Sequence, residues 1–142
     1  MIVYQATKGE FRNDILDDVI ENKILDAFRL KLKRRVAKQE IVAYRNSLQY
    51  MERVIGDSEI PDDCGVAIEY HLPQTSKRID FILTGTGDGS AEYVVMVELK
   101  QWSEATLSDK DGIINTYVGK RMGTYSPLVP SLVLCQLIAE FQ

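Results

Sequence analysis

Two short apolar segments constrain the fold of this chain most, because each carries charged residues inside a run that is typical of a β-strand. The segments are Lys77–Leu83 and Val94–Gln101. An unpaired charge is costly to bury, so charges inside such runs usually have a charged partner or a metal ion. Asp80, Glu98 and Lys100 are therefore the first residues to consider as members of a site.

The composition indicates an ordinary globular protein. The 142 residues suffice for one domain with a substantial core, and 45% of them are hydrophobic and 27% charged. No apolar run approaches the roughly 20 residues that span a bilayer, and the first residues do not resemble a signal peptide. We therefore expect a single-domain cytoplasmic protein with no membrane partner, in which Cys64 and Cys135 stay reduced.

Two amphipathic helices are predicted in residues 10–56. Thr7 and Glu10 have the spacing of a capping box, and the apolar residues that follow recur at helical intervals, which predicts one long helix over residues 10–35. A second helix is predicted over residues 38–56, with Tyr44 on its apolar stripe.

Residues 65–118 are predicted to form a mixed sheet of three to four strands that carries the site. Strands are predicted at Gly65–Leu72, where apolar and polar residues alternate, and at the apolar runs Lys77–Leu83, Glu92–Lys100 and Ile113–Val118. The third strand is the most apolar and is expected to be central in the sheet. His71, the only histidine, falls on the polar face of the first strand, where a surface position is expected.

The charged residues of these strands suggest a metal site. If the second and third strands pair as a hairpin, Asp80 lies beside Glu98, and two carboxylates that close repel each other unless a cation lies between them. Two carboxylates suit Mg²⁺ (or Mn²⁺), which keeps several waters and takes further ligands from phosphate. The backbone carbonyl of Leu99 is a candidate further ligand, and Lys100 is placed to stabilise charge on a phosphoryl group. Alternatively, Glu98 and Lys100 form a solvated ion pair worth ~0–1 kcal/mol.

An Asp followed by Glu-x-Lys on consecutive strands resembles the PD-(D/E)XK restriction-endonuclease-like pattern. The segments EIPDDCGVAIEYHLPQTSKRIDFILTG, VVMVELKQWSEA, DKDGI and TYVG are also similar to the N-terminal module of a family of superfamily-1 helicase-like ATPases. This resemblance covers about residues 1–120. It implies an α/β (α+β) fold with a restriction-endonuclease-like core. It also implies that the chain is a helicase-associated endonuclease, a hydrolase that cuts DNA or RNA.

The resemblance also implies roles for single residues. Asp80 and Glu98 match the metal ligands of such nucleases, Lys100 matches the catalytic lysine, and Gln101 matches the glutamine that often follows it. A further acidic residue in the helix before the first strand is common in these enzymes. Glu40 is one candidate for it, and Glu69 on the first strand is another.

Basic residues cluster at the end of the first predicted helix, at positions Arg29, Lys31, Lys33, Arg34, Arg35 and Lys38. They form either a solvated helix end, where cations suit the helix dipole, or a patch that contacts nucleic-acid phosphates. Lys77 and Arg78 are further candidates for phosphate contacts, or for salt bridges to Glu69 or Glu98. A non-catalytic nucleic-acid-binding or interaction module is therefore the alternative to a nuclease.

Residues 119–142 depart from the family, which has a motif near HPSYQAWSYA at this place. One possible coding string for Ser126–Leu137 reads HPSYQAWSYAN one nucleotide later, which predicts a frameshift that the gene sequence can test. Such a chain would lack the last helix and strand of the fold and would be an inactive, truncated remnant. Its incompletely covered sheet would favour self-association.

Overall fold

The computed structural model describes residues 1–99, 105–110, 113–118 and 121–125. The chain divides into two compact units, Met1–Leu99 and Lys100–Gln142. The first unit contains β1 (Ile2–Thr7), α1 (Lys8–Leu16), α2 (Ile20–Leu32), α3 (Lys38–Ile55), β2 (Gly65–His71), β3 (Arg78–Thr86), a 3₁₀ turn (Asp88–Ser90) and β4 (Glu92–Val97). The second unit contains β5 (Ala105–Leu107), β6 (Ile114–Val118) and β7 (Arg121–Tyr125). The architecture is thus mixed α and β, as predicted.

Both sheets are antiparallel throughout. Strands β1 to β4 form a four-stranded sheet in chain order, and β5 to β7 form a separate three-stranded sheet. The prediction of a mixed sheet is wrong, because the connections at residues 72–77 and 87–91 are too short for the crossover that a parallel pair needs. The strand predicted at Ile113–Val118 exists as β6, but it pairs with β5 and β7.

Strand β4 is an edge strand of the four-stranded sheet, so its predicted central position is wrong. Its apolar run is not fully buried, since Tyr93 and Val95 are 58% and 53% exposed. Ala67 and Ile82, which face away from the helices by strand alternation, are buried. Exposed apolar surface is therefore found at β4, where self-association stays a prediction.

The first predicted helix is two helices. The capping box is confirmed, since the Glu10 N–H donates to Thr7 Oγ1 and the Thr7 N–H donates to Glu10 Oε2. Helix α1 ends at Leu16, and Asp18 has a left-handed φ of 55°. Aspartate is one of the few residues that tolerate this conformation, which turns the chain before α2 begins.

Helix α3 matches its predicted range within one residue. Strand β1 was not predicted, because its six residues become a strand only by pairing with β2, far along the chain.

Within the described part of the chain, no helix combines the length and apolar composition needed to cross a bilayer.

The core lies between the helices and one face of the four-stranded sheet. Phe11, Phe28 and Phe81 are wholly buried, and the Phe11 ring meets Phe81 edge to face with the ring centroids 5.7 Å apart. The other members of the cluster are Val3, Tyr4, Ile20, Ile24, Leu48, Met51, Ile55, Val66 and Ile68. Both β2 and β3, the strands that carry Glu69 and Asp80, contribute to this core.

A buried lysine fixes the loop that leads into β2. Lys8 is 2% exposed, and its Nζ donates to the carbonyls of Asp57, at 3.0 Å, and Ile60. The same ammonium lies 3.1 Å from Asp62 Oδ1. The start of α1 is thereby tied to the entry of β2, the strand that carries Glu69.

We expect Phe28→Ala to lower the free energy of unfolding by about 3–5 kcal/mol, because it removes a wholly buried ring from the core. Leu30→Ala, on the same helix but 80% exposed, should change it by no more than about 0.5 kcal/mol. Urea unfolding followed by circular dichroism measures both. Equal losses in the two variants would contradict the orientation of α2.

Candidate functional site

The β3–β4 hairpin brings the two carboxylates predicted as metal ligands to neighbouring positions. Phe81 pairs with Val97 in the ladder, so Asp80 and Glu98 come next in the same register, just beyond the end of β4. The pairing of these strands as a hairpin, on which the site prediction depended, is confirmed. The Leu99 backbone N–H donates to Asp80 Oδ2 at 2.9 Å, so Asp80 holds the chain that leaves β4 against β3.

The two carboxylates differ in their surroundings. The Asp80 side chain is 21% exposed, whereas Glu98 is exposed. Lys100 and Gln101, the remaining predicted catalytic residues, lie outside the described residues. The structure therefore describes the acidic half of the predicted motif and the backbone of Leu99 beside it.

Glu69 is the most buried carboxylate of the described chain and has three polar neighbours. Its side chain is 1% exposed. The Tyr44 hydroxyl donates to Glu69 Oε1, and Arg78 Nε lies 3.3 Å from the same oxygen. His71 Nε2 lies 3.3 Å from the other oxygen, Oε2. We call Tyr44, Glu69, His71 and Arg78 the Glu69 cluster.

The backbone at Glu69 is strained. Its φ is 55°, a left-handed value inside a β-strand, where residues other than glycine rarely adopt it. Ile68 pairs with Phe81 and Tyr70 with Ile79, so the register is unchanged across Glu69 and no residue is inserted. Such strain costs on the order of 1–3 kcal/mol and persists only where surrounding contacts impose it, most often at functional sites.

Arg78 lies within ion-pair distance of two carboxylates, buried Glu69 and half-buried Asp80. Its Nε is 3.3 Å from Glu69 Oε1 and 3.6 Å from Asp80 Oδ1. Burial lowers the pKa of Arg78, but the charges of Glu69, Tyr44, Asp80 and Glu40 outweigh it and the net pKa is raised. Arg78 thus forms the salt bridge to Glu69 that was one of its two predicted roles.

Tyr44 and Glu40 connect the cluster to α3. Burial raises the pKa of Tyr44 above its ordinary value, and the hydrogen bond to Glu69 and the Glu69 charge raise it further. Glu40 accepts two hydrogen bonds from Arg34, at 3.0 and 2.9 Å, and its charge also raises the pKa of Tyr44. Glu40 therefore lies near the cluster electrostatically, although its hydrogen-bond partner is Arg34.

The described residues contain no group of three or more histidine, cysteine, aspartate or glutamate side chains arranged to hold a metal ion. Asp80, Glu98, Glu69 and Glu40 are therefore not gathered around one centre there. Asp80 and Glu98 remain a candidate pair by register, and Glu69 belongs to a separate polar cluster on the other side of Arg78.

The basic residues at 29–38, considered together with Lys77, divide into paired and unpaired sets. Arg29 is 3.5 Å from Asp26, Lys31 donates to the Ile2 carbonyl at 3.0 Å, and Arg34 bonds Glu40. The side chains of Lys33, Arg35, Lys38 and Lys77 are exposed and make no hydrogen bond or ion pair within the described ranges. Only this second set is free to contact a phosphate without breaking an internal pair.

Sequence reasoning missed Tyr44 and His71 as partners of Glu69. Tyr44 was expected only as part of an apolar stripe, and His71 as a surface residue, whereas its side chain is only 28% exposed. The available signal was the Glu-x-His spacing, which puts two polar side chains on one face of β2.

No family model, curated protein or solved structure matches the chain.

We expect Tyr44→Phe to lower the free energy of unfolding at pH 7 by about 1–3 kcal/mol, because buried Glu69 loses a hydrogen-bond donor. The variant should also lose less stability in alkali. Since the Tyr44 pKa is raised from 10.0 in the folded chain, the folded state keeps a proton that the unfolded state releases, and stability falls as pH rises above 10.0.

Urea unfolding between pH 8 and 11 measures this slope, which is at most about 1.4 kcal/mol per pH unit for one proton. Tyr4, which donates to Asp14 at 2.8 Å and whose pKa burial also raises, is present in all variants and supplies the remaining slope. Tyr50→Phe is the control, because that ring is 67% exposed. Identical alkaline slopes in the two variants would contradict the Tyr44–Glu69 hydrogen bond.

Proposed function

We propose that this chain is a divalent-metal-dependent nuclease-like domain of the PD-(D/E)XK type, which hydrolyses phosphodiester bonds in DNA or RNA. The observation that carries the proposal is the β3–β4 register, which makes Asp80 and Glu98 neighbours and gives Asp80 a hydrogen bond from the Leu99 N–H. A restriction-endonuclease-like core and a relationship to helicase-associated modules belong to the same proposal.

The Asp80 carboxylate has one oxygen in a hydrogen bond, and its other oxygen would be available to bind a metal ion. Oδ2 accepts the Leu99 N–H, whereas Oδ1 is 3.6 Å from Arg78 Nε, beyond hydrogen-bond distance. Oδ1 of Asp80, the carboxylate of Glu98 and the Leu99 carbonyl would hold Mg²⁺ or Mn²⁺, with waters completing the shell. The bound ion would polarise a phosphate and lower the pKa of a metal-bound water.

The remaining chemistry falls to protein side chains. Lys100 would stabilise the charge that develops on the phosphoryl oxygens, and Gln101 would help to orient the attacking water. The Leu99 N–H holds Asp80 in one orientation, which spares the site the entropy of ordering that side chain during the reaction. Arg78 on the same strand would support Asp80 directly, and Glu69 on the neighbouring strand β2 would hold Arg78 in place.

A second candidate function is nucleic-acid binding without cleavage. The observation that favours it is the set of exposed cations around the α2–α3 connection, Lys33, Arg35 and Lys38, whose side chains have no partner among the residues described. A phosphate backbone would pair with them without disrupting an internal salt bridge. The same surface would serve a nuclease for holding its substrate.

Cleavage of labelled DNA and RNA in Mg²⁺ or Mn²⁺ tests the nuclease proposal. We expect Asp80→Asn, Glu98→Gln and Lys100→Met each to reduce the rate by about 10²-fold or more, because each removes a ligand or a charge that stabilises the transition state. Glu92→Gln removes an exposed carboxylate at the start of β4 and should leave the rate unchanged.

Two outcomes would limit this proposal. Cleavage that persists in Asp80→Asn and Lys100→Met would rule out this site as its source. If no variant cleaves, but Mn²⁺ raises the melting temperature of the wild type and not of Asp80→Asn, the chain is an inactive remnant that keeps the metal position.

Fluorescence anisotropy with labelled oligonucleotides tests the binding proposal. We expect the pair Lys33→Ala and Arg35→Ala to weaken binding about equally for all sequences and to flatten its dependence on salt, because two phosphate contacts are lost. Arg29→Ala, which removes a cation already paired with Asp26, is the matched control. Unchanged affinity and salt slope in the double variant would exclude this surface.

A further inference from the structure

The solvent-facing side of α3 carries cations and amides but no exposed carboxylate. Its exposed polar side chains include Lys38, Arg45, Asn46, Gln49 and Arg53. The only carboxylates of α3 are Glu40 and Glu52, and in this fully described helix neither residue is exposed. We call this solvent-facing side, from Lys38 to Arg53, the outer side of α3.

The charge of the outer side is positive because both α3 carboxylates already have an arginine partner. Arg34 Nη2 lies 2.9 Å from Glu40 Oε2, and Arg12 Nε lies 2.9 Å from Glu52 Oε1. Arg45 is likewise paired with Glu21 of α2.

Two cations of the outer side are left without such a partner. Lys38 and Arg53 make no ion pair with the residues that the structure describes. The chain as a whole has a net charge of −4, so this positive surface is a local exception. Its charge is complementary to that of a phosphate backbone.

An exposed aromatic ring lies among these cations. The Tyr50 side chain is 67% exposed, and the guanidinium carbon of Arg53 lies over its ring, 5.7 Å from the centroid. The opposite side of α3 buries Leu48, Met51 and Ile55 in the core, so the Tyr50 ring takes no part in that packing. An aromatic ring beside a guanidinium is the combination on which unpaired nucleobases stack.

The remaining exposed residues favour a nucleic acid over a protein partner. Val42 and Val54 are 52% and 66% exposed, but Asn46 interrupts the four-residue spacing that would join Val42 to Tyr50. The core of a protein interface is poor in charged residues, whereas this surface is mainly cationic and amide-bearing.

The exposed ring also favours a single strand over a duplex. In a duplex each base is stacked on its neighbours, whereas a single strand can present an open base face to a side chain. Every base has such a face, so stacking on Tyr50 would tolerate any sequence.

The outer side of α3 continues the cationic surface of the α2–α3 connection. Lys38 is the first residue of α3, and the exposed Lys33 and Arg35 precede it. Along the helix, Tyr50 lies about 18 Å beyond Lys38 at 1.5 Å per residue. A strand held by phosphate contacts at the connection would therefore pass along α3 before it met the ring.

We propose that the outer side of α3 binds single-stranded nucleic acid, with one unpaired base stacked on the Tyr50 ring and with Lys38 and Arg53 at the phosphates. This inference rests on the nucleic-acid-binding function proposed above and names its substrate class.

Fluorescence anisotropy of the full chain with a labelled single strand and with the matching duplex tests the proposal. We expect the single strand to bind at least about 10-fold more tightly. Tyr50→Ala should weaken single-strand binding by about 10-fold or more and leave duplex binding unchanged, because it removes one stacked base. Tyr50→Phe, which keeps the ring, should bind like the wild type.

Tyr93→Ala is the matched control, because Tyr93 is a 58% exposed tyrosine on β4. It should leave single-strand affinity unchanged, with circular dichroism showing that every variant is folded. The double variant Lys38→Ala and Arg53→Ala should flatten the salt dependence of binding, whereas Tyr50→Ala should not, since stacking releases no counterions.

A strand that contains 2-aminopurine reports stacking directly, because the fluorescence of this base falls when it stacks on a ring. At saturating protein we expect quenching by the wild type and by Tyr50→Phe, and much less by Tyr50→Ala. Equal quenching by all three would overturn the proposal.

The remaining outcomes separate this inference from the proposed function. Single-strand binding that Tyr50→Ala does not weaken, or duplex binding as tight as single-strand binding, would overturn the inference and leave nucleic-acid binding in place. A wild type that bound neither oligonucleotide would overturn both.

Discussion

The buried carboxylate of Glu69 is the constraint on which the polar side of this structure depends. A nearly unexposed negative charge is tolerated only if it is paired, and removal of one partner of such a group typically costs about 3–5 kcal/mol. Tyr44 from α3 and Arg78 from β3 both meet it, so one charge ties a helix and a strand to β2. The backbone at this position has a left-handed φ of 55°.

The proposed function depends on the β3–β4 hairpin, because this hairpin makes Asp80 and Glu98 neighbours in space. Asp80 accepts a hydrogen bond from the Leu99 N–H just beyond β4 and lies 3.6 Å from Arg78 on its own strand, so it has partners on two sides. A carboxylate held in this way is more restricted in orientation than a solvated surface charge. The Glu69 cluster and the Asp80–Glu98 pair are then two neighbouring polar sites, divided by one guanidinium.

Local signals in the sequence predicted local structure well. The capping box at Thr7, the extent of α3 and the hairpin of β3 with β4 all depend on residues close in the chain. The failures have particular causes: Asp17 and Asp18 interrupt an otherwise continuous helical period, and β1 exists only because β2 pairs with it. The apolar run of β4 predicted a central strand, but periodicity cannot tell an edge strand from a buried one.

The sequence by itself determined which residues are available for chemistry and which strand carries each of them, because side-chain type and alternation are local properties. It also determined that Asp80 and Glu98 would be neighbours once a hairpin formed. Only the tertiary structure decided that Glu69 is buried, that Tyr44 and His71 are its partners, and that Arg78 forms an ion pair with it. Those outcomes depend on the contact of Tyr44 on α3 with Glu69 on β2, which are distant in sequence, and on a backbone angle at Glu69 that residue type alone would not favour.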